Sequence, residues 1–113
     1  AYPGESIFAE KLGTAVSRSD QNSRKKDYHD LLLLVRGDVV DKKEVKTAIK
    51  ATFTNRGTSL QKLSIPKDQI ENIQRYWGIY LKATDPVVQK DLATDIQTVM
   101  NEINLYLDEH DLI

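Results

Sequence analysis

The sequence contains no cysteine. Disulfide bonds and thiolate metal sites are therefore excluded, and an oxidising compartment is not called for. Histidine is also scarce: only His29 and His110 occur, far apart, which leaves too few imidazoles for a convincing metal site. There is one Trp and there are three Pro. No apolar run approaches the roughly 20 residues that a membrane-spanning helix needs. The start, AYPGESIFAEK, lacks the basic end followed by an apolar stretch of a secretory leader, so a cytoplasmic protein is expected. The first residue is Ala rather than Met, which leads us to expect a piece of something longer. Neither a G-x-S-x-G elbow nor a P-loop occurs.

What is present is a charged chain of one-domain size. The 113 residues are 40% hydrophobic and 29% charged, enough for one modest core. The net charge of −1 conceals a split. Residues 1–84 hold fifteen Lys/Arg against ten acids, whereas residues 85–113 hold one Lys against seven acids. Either these are two solvated helix faces, or the basic part meets phosphates.

The apolar spacing is helical throughout, and no convincing strand is found. Asp41 opens a capping box with Glu44. Val45, Ala48, Ile49, Thr52 and Phe53 follow as one apolar face, and Gly57 is placed to stop that helix. Pro66 is expected to start the next helix, with Ile70, Ile73, Trp77, Tyr80 and Leu81 as its buried stripe. Asp85-Pro86 repeats the start signal. Val88, Leu92, Ile96, Val99, Ile103 and Leu107 then line what reads as one long final helix. In the first third, Pro3-Gly4-Glu5-Ser6 reads as a lead-in to a helix carrying Ile7, Phe8, Leu12, Ala15 and Val16. Gly13 weakens that helix by about 1 kcal/mol relative to Ala, but permits close approach of a neighbour. Residues 18–23 form a polar turn, and Asn22 or Ser23 can cap the second helix. The expectation is an all-α bundle in a single domain, with helices near 5–17, 23–36, 42–56, 66–83 and 86–108.

The second helix begins with a dense polar cluster, SRKKDYHD, directly before four leucines. Tyr28, Leu31, Leu32 and Val35 can face inward, and His29 reads as a polar-face residue. Asp27 and Asp30 are three apart and Lys26 and Asp30 four apart, so they share one flank. If the first two helices form a hairpin, Lys11 and Asp27 approach at their shared end. A Lys beside a carboxylate suits phosphate binding, with the carboxylate orienting the ammonium or acting as a base. Arg24, Lys25 and Lys26 near a helix N-terminus add to an anion-binding position. The competing reading is an ion-pair network on a helix flank, which contributes a few tenths of a kcal/mol per pair.

Two blocks in order, A-E-K-L at 9–12 and N-S-R-K-K-D-Y-H-D-L at 22–31, resemble the AbiEii/AbiGii toxin family of polymerase-beta-like nucleotidyltransferases. Tyr2, Pro3 and Glu5 match the lead-in of that pattern, and A-I-x-x-T-F-x-x-R-G-T at 48–58 is also similar. The resemblance implies that Lys11 contacts a nucleoside triphosphate (NTP) and that Asp27 is catalytic. Arg24, Lys26 and Asp30 would support or contact substrate, and Glu10 would pair locally. It further implies Mg²⁺ and NTP, a tRNA 3′ end or another acceptor, a cognate antitoxin and a bacterial source. The family's upstream Gly-Ser and Asp-x-Asp motifs do not occur in these residues. The resemblance thus corresponds to the C-terminal half of such an enzyme, and this chain alone is expected to be inactive. The alternative is a non-catalytic helical module that binds RNA or a protein partner through residues 11–30.

Overall fold

The third helix, α3, shows how local signals build an element here. Asp41 stands in extended backbone and its side chain accepts from the Glu44 N–H at 2.9 Å. Lys42–Arg56 then run as a helix until Gly57 takes the left-handed conformation, φ 66°, and caps the Phe53 and Thr54 carbonyls. A side chain at that φ would be strained, whereas Gly is not. Val45, Ile49, Thr52 and Phe53 are its buried face.

A computed structural model describes residues 3–17 and 25–113. The helices are α1 (Pro3–Ser17), α2 (Lys25–Gly37), α3 (Lys42–Arg56), α4 (Ile70–Ala83), α5 (Pro86–Gln89) and α6 (Ile96–Glu109), with no strand among the described residues. The all-α expectation holds. Helix α1 packs chiefly on α3, and α2 is central, touching α1, α4 and α6. Gly13 lies at the α1–α3 crossing, where an added Cβ would come within 2.9 Å of Thr52 Cγ2 and 3.1 Å of Arg56 Nε. Its cost in helix propensity is offset by the closeness of the two helices. The core gathers Phe8, Leu12, Tyr28, Leu31, Leu32, Ile49, Phe53, Trp77, Ile96, Met100, Ile103 and Leu107, all fully buried.

Several boundaries differ from the sequence expectation. Pro3 to Ser6 belong to the first turn of α1 rather than to a lead-in. Pro66 begins a turn, with the Gln69 N–H donating to its carbonyl at 2.9 Å, and α4 itself starts at Ile70. The largest difference is the final helix, which breaks between Gln89 and Ile96. A continuous helix would use the carbonyls of Asp91, Ala93 and Thr94 for its own i→i+4 bonds. Here Arg36 Nη1, Trp77 Nε1 and Gln74 Nε2 donate to them at 2.6, 2.9 and 2.8 Å. Asp95 then caps the fresh start by accepting from Gln97 N–H at 2.8 Å. Leu92 is buried in this connection, while Val88 of α5 stays partly exposed. Asn104 likewise clamps the long 57–69 connection, donating to the Leu63 carbonyl and accepting from its N–H, both at 2.9 Å.

The anchoring of α2 is also more selective than four leucines suggest. Leu31 and Leu32 are fully buried, Leu34 packs against the core, and Leu33 is 53% exposed. The capping residues Asn22 and Ser23 and the 18–23 turn lie outside the described residues.

Candidate functional site

Two consecutive helices bring the predicted cluster together. Residue 11 sits between Ala9 and Leu12, both fully buried in α1, so the backbone of Lys11 is fixed by core packing. Across the hairpin, Tyr28, Leu31 and Leu32 fix α2 in the same way. Lys11 Nζ meets Asp27 Oδ1 at 3.2 Å and Asp30 Oδ2 at 3.0 Å. Lys26, mostly exposed, closes on Asp30 from its own helix at 3.2 Å. Lys11, Lys26, Asp27 and Asp30 thus form one connected group with no net charge. The i, i+3 spacing of the two carboxylates is what lets a single ammonium bridge them. Arg24 lies outside the described residues.

The electrostatics follow from this bridge. The Asp30 carboxylate, ahead of Asp27, holds the Lys11 ammonium above its ordinary range in spite of partial burial. For Asp30, burial pushes the carboxyl up, but Lys11 and Lys26 together outweigh it and hold the group below its ordinary value. Lys11 has three N–H donors, and two are engaged by carboxylates. Its side chain remains about one-third exposed and lines a hollow of roughly 250 Å³ with Ile7, Asp30, Leu33 and Leu34. Ile7 and Leu33 are both about half exposed. The group offers a positioned ammonium at the edge of an apolar hollow, held by two carboxylates that can orient it or take up a proton.

The same residues do not make a magnesium site. Mg²⁺ needs several oxygen ligands in near-octahedral geometry. Asp27 and Asp30 are both committed to Lys11, and the described residues contain no cluster of three or more potential ligand side chains.

Two flanking residues differ from expectation. His29 is buried rather than on the polar face, because Tyr80 of α4 reaches it: Nδ1 and the Tyr80 hydroxyl lie 2.6 Å apart. Glu10 pairs across helices with Arg56 of α3 at 3.0 Å instead of locally. Nothing in the local spacing announces either partner, which stand 51 and 46 residues away.

Burial pushes the His29 imidazole below its ordinary value of 6.5, against the pull of Asp30 and together with the push of Lys26. As pH falls below 6.5, the unfolded chain therefore takes up this proton before the folded one. Stability is complete above that pH and declines below it. A second decline follows when Asp30 and Glu102 are forced to protonate, since both carboxyls sit below their ordinary values in the fold. Denaturant titrations between pH 7 and 3 should show both stages, and His29→Gln should retain only the lower one.

The geometry sits on the two blocks that carried the family resemblance. A family model described as nucleotidyl transferase AbiEii toxin, type IV TA system, matches residues 1–110. No curated protein and no solved structure matches the chain. With nearly its whole length matched, the chain belongs to the AbiEii nucleotidyl transferase toxin family of type IV toxin–antitoxin systems.

Proposed function

We propose that these residues form the helical C-terminal part of a toxin that transfers nucleotides from an NTP to an acceptor, the tRNA 3′ end. The observation that carries this reading is the bridge of Lys11 to Asp27 and Asp30, within 3.2 Å, built by the two family-like blocks. Lys11 contacts the triphosphate with its remaining donor. Asp27 is the catalytic carboxylate, holding Lys11 and accepting a proton from the attacking hydroxyl. Lys26 and Asp30 support the substrate from the same end of α2, and Arg24, outside the described residues, is the further substrate contact that the resemblance implies. Mg²⁺ would supply charge neutralisation at the phosphates, and carboxylates outside these residues, of the kind the family's Asp-x-Asp motif provides, would hold it. A cognate antitoxin is the regulatory partner that a type IV system implies.

What favours this reading over an ion-pair network on a helix flank is the hollow that adjoins Lys11. Purified tRNA, Mg²⁺ and each of the four labelled NTPs provide the test. The longer toxin is expected to label tRNA with at least one NTP, and the 113-residue chain with none. Robust labelling by the 113-residue chain would mean that these residues need no outside segment, and the site assignment would be wrong. Absence of labelling by both, with RNA retained by the 113-residue chain, would favour a binding module centred on residues 11–30.

A further inference from the structure

Helix α2 is held from two sides, and Asp30 lies between the holds. At about 100° per residue, Asp30 is roughly 60° around the axis from Asp27 and roughly 100° from His29 on the other side. Asp27 is the edge that meets Lys11 of α1. His29 is the edge that meets Tyr80 of α4. Both edge residues are 8% exposed. Tyr80 is itself placed by stacking on Trp77, with ring centroids 5.5 Å apart, and Trp77 is pinned through the Ala93 carbonyl.

The His29 link is specific in its chemistry. Nδ1 and the Tyr80 hydroxyl share one hydrogen bond at 2.6 Å, which leaves Nε2 as the other polar atom of the ring. That atom is buried with no hydrogen-bond partner among the described residues. The ring is therefore held by one directed bond and an edge-on contact with Tyr80, centroids 5.6 Å apart. The charged groups around it are Lys26 and Asp30 on its own helix. Lys11 of α1 reaches the other side of Asp30, and Glu102 of α6 engages Arg36 two turns further along α2.

We infer that His29 is a positioning residue, whose neutral imidazole, hydrogen-bonded to Tyr80, sets the rotation of α2 that keeps Asp30 against Lys11. Its significance for catalysis rests on the proposed role of Lys11, Asp27 and Asp30, but its test needs no substrate. Without the Tyr80 bond, α2 keeps its packing on α1 and α6 but loses this directed polar tie to α4, and the outer of the two carboxylates is the one free to swing away. Asp27, the buried edge, stays in place.

Carboxyl ¹³C NMR titration of Asp30 in the 113-residue chain reads this directly. Tyr80→Phe removes one hydroxyl and keeps the ring. It is expected to raise the Asp30 midpoint by about one pH unit, most of the shift that an adjacent cation supplies. His29→Phe should do the same. His29→Asn presents an amide oxygen near the place of Nδ1 and should keep the wild-type midpoint. An unmoved midpoint in folded Tyr80→Phe protein would overturn the inference, as would Asn and Phe variants that behave alike. Unfolding of Tyr80→Phe at neutral pH would also overturn it, since the pair would then hold the fold rather than the carboxylate. If the titrations follow expectation while the longer toxin labels no tRNA, positioning stands and the transfer reading falls.

Discussion

On the proposed function, Asp27→Asn in a longer toxin that carries these residues is expected to lower nucleotide transfer by at least about 10²-fold, the lower range for loss of a general base. The substitution keeps the shape and removes the charge that holds Lys11 at 3.2 Å. Asp27 is buried, so its loss differs from that of a surface pair. A charged acceptor for a partly buried ammonium becomes a neutral one, while Asp30 still neutralises that ammonium at 3.0 Å. Stability should fall by about 1–3 kcal/mol, more than the roughly 1 kcal/mol ceiling of an exposed pair. Transfer rates and denaturant melts on one preparation separate the two effects. Activity retained in a destabilised protein would make the bridge structural.

Trp77→Ala is expected to have the largest effect on stability, about 3–5 kcal/mol. Trp77 is fully buried in α4, and its indole N–H is spent on the Ala93 carbonyl at 2.9 Å. Truncation opens a cavity, and it also orphans a carbonyl that the broken final helix does not use. The connection between α5 and α6 should loosen first, because Gln74 and Arg36 hold only its two ends. Amide hydrogen exchange would show protection lost at residues 90–96 before α3. Such a loss takes a large fraction of the roughly 5–15 kcal/mol that separates folded from unfolded domains. Trp77→Phe keeps most of the apolar volume and should cost less.

The parts of this fold that were legible in the sequence are those set by neighbours a few residues apart. Asp41, Glu44 and Gly57 define α3 to the residue because caps act within one turn. The inward faces of Tyr28, Leu31, Leu32 and Val35 follow from the 3.6-residue period. The final helix misled for the opposite reason. Its apolar spacing runs unbroken from Val88 to Leu107, and its interruption depends on side chains of α2 and α4 that claim its carbonyls. Local pattern contains no trace of such claims.

The candidate site divides in the same way. The approach of Lys11 to Asp27, and of Lys26 to Asp30, could be read from helix spacing and a hairpin. That one ammonium would bridge both carboxylates depends on how far the two helices interpenetrate. His29 looked like a surface residue because its burial is supplied by Tyr80, from a helix that no short-range signal connects to it. The hollow beside Lys11 depends on Leu33 being left outside, in a run of leucines where each looked equally fit for the core.

The central claim is that the Lys11 ammonium meets a nucleoside triphosphate. The most direct measurement is photo-crosslinking of the proposed longer toxin with an NTP bearing a photoreactive group on its terminal phosphate, followed by peptide mapping. The account predicts modification concentrated on Lys11, suppressed by excess unmodified NTP and reduced in Tyr80→Phe. Modification of other lysines, with Lys11 untouched under conditions that support transfer, would contradict it.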